Sequence, residues 1–369
     1  MSVKNQKFDF GITALAGARI GVFRYLLKKY GVEKKYISKY RLSAFVSVIS
    51  SFFGVFDGIV YYFKAKPANL KDPVFIIGHW RSGTTFLHNL MCTDPTVGFT
   101  TTYQSVFPNN IFAFQWLFKF FIKKLMPERR PIDNVLLGAD FPQEDEFALN
   151  NEIPFSFYNW WYFPKKTEEI ANEYLFGTSA DPKDIINWKN NFRRFVIRSL
   201  MNTKGKRFVS KNPPHTARIK YLLGLYPNAK FIYIDRNPYE VIHSTFAFYK
   251  GVLPGIQLQD IDDEKLMKDI IWVYKGLYEK YEKDKFKIPS CNLMEIRYSD
   301  LTNDPKNIVK AIYSDLLKDD YSRISSSMDQ FLGKQNHKLK EYNFGVDFLK
   351  NVNKHLSKII EKQGYILKN

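Results

Sequence analysis

The stretch PVFIIGHWRSGTTFLHNL, residues 73 to 90, constrains this chain more than any other. Phe75, Ile76 and Ile77 read as a short buried strand, and Gly78 breaks it. TTFLHNLM then carries the apolar spacing of a helix through Phe86, Leu87, Leu90 and Met91. A strand, a glycine-bounded loop and a helix N-terminus in that order make an anion cradle. Successive amide groups turn inward, and the helix dipole favours negative charge. The spacing Gly78-x-x-x-x-Gly83 followed by Thr84-Thr85 approaches the phosphate loop of ATP-binding enzymes, but Thr84 stands where that loop needs its lysine. The segment suits a phosphate-like group rather than ATP with magnesium.

Three further strands are expected at Arg207–Lys211, Lys230–Arg236 and Leu293–Tyr298, with a helix over 215–227 between the first two. Strand, helix and strand at this spacing form a βαβ unit and imply a parallel sheet. Arg236 ends the apolar strand FIYID, and Ser244 lies eight residues later, inside the helix that follows Asn237-Pro238. A cation at a strand's carboxyl end and a hydroxyl one turn into the next helix can grip one phosphate from two sides, at the edge where open α/β sheets bind ligands. Lys211 ends its strand before Asn212-Pro213-Pro214 and reaches the same edge.

The formal net charge of the 369 residues is +18, spread along the whole chain without a basic arm. That distribution disfavours nucleic acid and leaves a polyanionic ligand or a membrane surface. The two cysteines, Cys92 and Cys291, form no C-x-x-C motif, which excludes disulfide frameworks and structural zinc. The N-terminal apolar run is too interrupted for a signal peptide, so a cytoplasmic protein is expected, peripheral to the inner membrane face. Residues 42–63 place Phe45, Val48, Ile49, Phe52 and Phe56 on one helical stripe and Ser43, Ser47, Ser50 and Asp57 off it. Asp57 argues against a span, and a helix packed on the domain or lying in a membrane interface is expected. Residues 111–125 repeat the theme, with Ile111, Phe114, Phe118, Phe121 and Leu125 opposite Gln115, Lys119 and Lys123. Cationic amphipathic helices of this kind sit on anionic membranes or cover a core.

RSGTT after the first strand, K-x-P-P-H after a middle strand, and R-N-P with a serine eight residues past the arginine occur here in order. On these anchors the chain resembles the sulfotransferases that use 3′-phosphoadenosine 5′-phosphosulfate (PAPS), most of all their bacterial and tyrosylprotein-type branch. The strand IRYSDL, 296–301, is similar to that family's tyrosine-containing segment near the adenine. The resemblance spans residues 73 to 301 and implies an α/β fold, with a P-loop-type central parallel β-sheet flanked by helices. A helical N-terminal extension over 1–70 would precede a single globular domain over 71–369. It implies that Arg81, Ser82, Gly83, Thr84 and Thr85, with Phe86 beside them, cradle the 5′-phosphosulfate. Arg236 and Ser244 would hold the 3′-phosphate, Tyr298 would lie near the adenine, and Lys211 would contact the bridging oxygen. Lys338, beside His337, would belong to a basic C-terminal segment that closes over the donor. PAPS would be the cofactor, leaving adenosine 3′,5′-bisphosphate, with no metal. Sulfuryl transfer resembles phosphoryl transfer in its loose in-line transition state, so positioning and charge stabilisation by Arg81 and Lys211 can carry it.

A general base must take the acceptor's proton. Where the tyrosylprotein branch has a glutamate this chain has Thr101, Thr102, Tyr103 and Gln104, so the expectation moves to Glu144, Asp145 and Glu146. Glu144 shares a face with Phe147 and Ala148, and an apolar setting raises a carboxylate's pKa. The same acids would also complement a helix N-terminus. His79, His88 and His215 are alternatives. The WWYF cluster at 160–163 and the Phe-rich helices point to a hydrophobic acceptor such as a sterol, lipid or quinol, while sugars also stack on such rings. A P-loop nucleotide kinase would need a loop lysine and an acidic strand end, and a non-catalytic membrane protein would leave Lys211, Arg236 and Ser244 unexplained. Oligomeric state is not legible.

Overall fold

A computed structural model describes residues 11–126, 138–334 and 342–368. Five strands form its sheet: β1, Lys71–Gly78; β2, Val97–Gly98; β3, Arg207–Lys211; β4, Lys230–Asp235; and β5, Leu293–Arg297, in the order β2-β3-β1-β4-β5. The β1–β3, β1–β4 and β4–β5 pairs are parallel. Val74 to Ile77 are fully buried, the mark of a central strand covered on both faces. From β1 the chain runs to β2 and β3 on one side and then crosses over β1 to β4 on the other, which puts a topological switch point at the carboxyl ends of β1 and β4. Helices flank the sheet, so the expected α/β class holds.

Contacts divide the chain into two units. One comprises Met1–Leu70, Gly98–Lys206 and Ala247–Leu266; the other comprises Lys71–Val97, Arg207–Phe246 and Met267–Asn369 and carries the long strands. The expected extension over 1–70 falls in the first of these units.

Several boundaries differ from expectation. β4 and β5 stop one residue early, at Asp235 and Arg297, and Tyr298 opens the short helix Tyr298–Asn303 rather than continuing a strand. The helix expected over 215–227 divides into a 3-10 turn, Pro213–Ala217, and a helix, Ile219–Leu223. The helix expected from 111 begins at Gln115, because Phe114 takes a left-handed φ of 56°. Its expected apolar stripe is split: Ile111 and Phe118 are buried, whereas Phe114 and Phe121 are exposed.

Candidate active site

Strand β1 ends at Gly78, whose φ of 138° suits glycine, and a Cβ there would lie 2.9 Å from the Ile234 carbonyl oxygen. The loop then folds on itself, with Ser82 Oγ donating to the His79 carbonyl at 2.7 Å. Gly83, at φ 100°, opens the Thr84–Met91 helix without a side-chain cap. The first amide groups of a helix have no intrahelical acceptor, so this end presents donors and positive dipole to an anion. A Cβ at Gly83 would meet the Tyr298 ring at 2.3 Å. The tyrosine therefore rests against the loop backbone, and residue 83 must be glycine on two counts.

Cations gather around this loop. Arg236 donates from Nη1 to the Arg81 carbonyl at 2.8 Å. Its Nε and Nη2 donate to Glu240 Oε2 at 3.0 and 2.8 Å, and Nη2 also reaches the Tyr342 hydroxyl at 3.1 Å. The guanidinium carbon lies 4.0 Å from the centroid of the Tyr298 ring. Arg81 has a left-handed φ of 67°, and its Nε donates to Ser244 Oγ at 3.1 Å. Arg81, Gly83, Arg236, Ser244 and Tyr298 are thus brought together from separate stretches of chain. Lys211 is buried at the end of β3, and its register opposite Ile76 puts it at the same carboxyl edge. The Thr216 hydroxyl fastens the Lys211 turn to the loop, accepting from Gly78 N–H at 2.8 Å and donating to the Gly78 carbonyl at 3.0 Å.

The expected histidines are packed inside. Burial pushes the pKa of His79 down to about 4, which leaves it neutral near pH 7. His88 Nε2 lies 3.2 Å from the Val209 carbonyl. His215 is fully buried, its ring set edge-on to Phe75 at 5.6 Å. Its ring nitrogens lie 3.3 Å from Asn212 Nδ2, beside the turn that follows Lys211.

The acidic triplet lies in the other unit. The Asp145–Glu152 helix starts there as expected, with Glu144 at its N-cap position. Asp145 and Glu146 are fully buried. Glu146 accepts from Ser156 Oγ at 2.8 Å and Phe157 N–H at 3.0 Å. Glu144 is half-buried and accepts from the Tyr158 hydroxyl. Tyr158 and Phe147 are 4.6 Å apart, Phe147 and Trp161 5.3 Å, and Trp160 and Tyr249 4.6 Å, so Glu144 borders an aromatic cluster.

Glu240, Thr216 and Tyr342 join the site without having been anticipated. Glu240 was within reach of the sequence, since it lies four residues past Arg236 at the start of a helix. Thr216 and Tyr342 carried no such signal. Lys338 and His337 lie outside the described residues.

A sequence model of the sulfotransferase family matches residues 73–317. The omega-hydroxy-beta-dihydromenaquinone-9 sulfotransferase Stf3 of Mycobacterium tuberculosis is 31% identical over 326 residues, covering 88% of this chain and 83% of that protein. Its Mycobacterium bovis counterpart matches equally. The fold is similar to that of sulfotransferase STF9 from Mycobacterium avium, with a TM-score of 0.67 at 16% identity over 96% of this chain and 98% of that one. It is also similar to sulfotransferase STF1 from Mycobacterium tuberculosis, with a TM-score of 0.64 at 18% identity over 92% and 91% of the two chains. These two likenesses concern the fold; the family itself follows from the match over 73–317 and from the 31% identity, and the chain with this anion loop and cationic sheet edge belongs to the sulfotransferase family.

Proposed function

We propose that this sulfotransferase takes PAPS as its donor and transfers the sulfuryl group to a hydroxyl of a lipid-like acceptor, of the hydroxylated quinol kind. The observation that carries the donor half is the meeting of Arg81, Arg236 and Ser244 beside the uncapped Thr84–Met91 helix. Two cations, a hydroxyl and a helix N-terminus fit a ligand with phosphate groups at two positions. Bound there, PAPS supplies the sulfuryl group. Ser82, Gly83, Thr84 and Thr85 hold its 5′ end, with Phe86 on the first helical turn, and Arg236 and Ser244 take the 3′-phosphate. Tyr298 packs beside Arg236 near the adenine. Arg81 and Lys211 stabilise the charge that grows on the departing phosphate.

Glu144 is the general base in this reading. It is the least buried of the three acids, and its aromatic border suits an apolar acceptor. The relative's substrate, an omega-hydroxylated dihydromenaquinone by its name, supports the same class. One substrate is a charged nucleotide and the other a lipid, so we place the reaction at the cytoplasmic surface of a membrane.

Titration calorimetry with adenosine 3′,5′-bisphosphate, beside ADP with magnesium, tests the donor half. Metal-independent binding should weaken by about 30- to 100-fold in Arg236→Ala, the worth of a lost charge-assisted pair. Preference for ADP with magnesium would overturn the assignment. For the base, Glu144→Gln should lower kcat on a hydroxylated quinol by roughly 10²- to 10⁴-fold with donor affinity unchanged. Unaltered kcat would remove Glu144 from the mechanism.

A further inference from the structure

The Ile37–Phe63 helix is built inside out. Ser43, Ser47, Ser50 and Asp57 are fully buried, while Phe45, Phe52 and Val55 are 63%, 62% and 64% exposed. Each buried polar group is matched on the inner face. Ser43 Oγ accepts from Thr13 N–H at 2.9 Å, Ser47 Oγ donates to the Ala18 carbonyl at 2.6 Å, and Ser50 Oγ donates to Asn110 Oδ1 at 2.9 Å. Asp57 accepts from Ala113 N–H at 2.8 Å and from Arg198 Nη2 at 2.6 Å. An ordinary surface helix solvates its polar stripe and buries its apolar one. Here the order is reversed, and the apolar stripe faces outward along a 27-residue helix about 40 Å long.

The Gln115–Leu125 helix extends this surface. The Phe114 ring lies 4.9 Å from Phe53 and 5.8 Å from Phe56, and Trp116, Phe120 and Phe121 are all at least half exposed. An apolar area of this kind on a soluble chain marks a partner. The charges beside it indicate which one. Residues 11–70 hold ten lysines and arginines against Glu33 and the buried, paired Asp57; Lys29 and Lys35 pair with Glu173 and Asp260 and Lys39 is buried. Residues 101–126 hold three lysines and no acid, and Lys119 pairs with Asp140. Arg41, Lys64, Lys66, Lys123 and Lys124 are exposed around the aromatic stripe. A second copy of the chain would press like charges together, whereas anionic headgroups would neutralise them. A membrane-crossing position is refused by the inner face, which the serines and the Asp57–Arg198 pair fasten to the protein.

We propose that this face docks on an anionic lipid bilayer, with the Ile37–Phe63 helix lying in the headgroup plane and its Phe, Val and Ile side chains among the acyl tails. Trp116 sits at the level where indoles prefer to lie. The docking surface is argued without the acceptor, and its use in catalysis rests on the lipid-acceptor reading.

Vesicle co-sedimentation of the full chain tests it, using phosphatidylcholine alone and phosphatidylcholine mixed with phosphatidylglycerol, at low and high salt. The wild type should pellet with the anionic vesicles and less so at high salt. Phe52→Glu with Val55→Glu should cut the bound fraction by about tenfold or more, and Lys123→Glu with Lys124→Glu by less. Both variants change exposed residues, so their melting temperatures should match the wild type. Wild-type protein that stays in the supernatant overturns the proposal, as does equal pelleting of the Phe52→Glu and Val55→Glu variant. So does a dimer in light scattering that this variant dissolves, which would assign the face to a second copy. Turnover of a short-chain, water-soluble hydroxylated acceptor is read in parallel. The wild type should turn it over and the variant should retain that turnover; wild-type protein that pellets with the anionic vesicles but turns over no such acceptor would strike the acceptor reading alone.

Discussion

Arg198 and Arg236 are both guanidiniums held by carboxylates, and they do opposite work. Arg198 donates to Asp57 and Glu152, each at 2.6 Å, and both carboxylates are fully buried. Arg236 is held by Glu240, whose side chain is 31% exposed. The first arrangement is sealed: no solute can replace either acid, and the three charges tie the Ile37–Phe63, Asp145–Glu152 and Pro182–Thr203 helices together. The second is open on one side, and a phosphate arriving from solvent can compete for the same donors. Burial of the acids, rather than the presence of an ion pair, separates a sealed strut from a cation that can exchange its partner.

The largest effect should come from breaking the sealed network. Arg198→Ala leaves Asp57 buried without its cation and Glu152 with only the looser Arg194 pair at 3.9 Å, and should lower unfolding stability by about 3–5 kcal/mol in a denaturant titration. The same change at Arg236 should cost under about 1 kcal/mol, because Glu240 can turn to water. Equal losses at the two positions would erase the distinction. Next comes acid. With its pKa at about 4 in the fold, His79 stays neutral where the unfolded chain binds a proton. Stability should therefore fall as pH drops from about 6.5 to about 4, by up to about 3 kcal/mol, and His79→Gln should flatten that dependence. The smallest effect belongs to the open pair. Glu240→Gln removes the resident competitor and should tighten adenosine 3′,5′-bisphosphate binding by a few-fold, on the order of 1 kcal/mol. Weaker binding would make Glu240 an orienting group rather than a placeholder.

The sheet and the anion loop were legible because their determinants are local. Phe75 to Ile77, the two glycines and the Thr84-Thr85 helix start lie within a dozen residues, and the Lys211 and Arg236 turns each announce themselves with proline. The orientation of the Ile37–Phe63 helix was not legible. Its two stripes were visible, but which one faces inward depends on Ala18, Asn110 and Arg198, distant in sequence. Asp57 could be read as a charge opposing a membrane span, not as a ligand for Arg198. The acids at 144–146 are legible as a group, but their different burial is not, nor that Glu146 accepts from Ser156 and Phe157. Tyr298 is expected at the end of a strand and instead opens a helix, since a strand that stops at Arg297 gives no periodic warning of the stop.

The buried pair also sets a schedule for synthesis. Arg198 follows Asp57 by 141 residues, so the ribosome completes an apolar helix long before its charged partner exists. At about 5–20 residues per second the gap is on the order of ten seconds. During that interval both stripes of the helix are open, and the nascent chain presents a membrane-length hydrophobic segment marked by a single unpaired carboxylate. Delaying or removing Arg198 should therefore show first as lost yield in the cell, with chaperone dependence, before any defect appears in the folded enzyme.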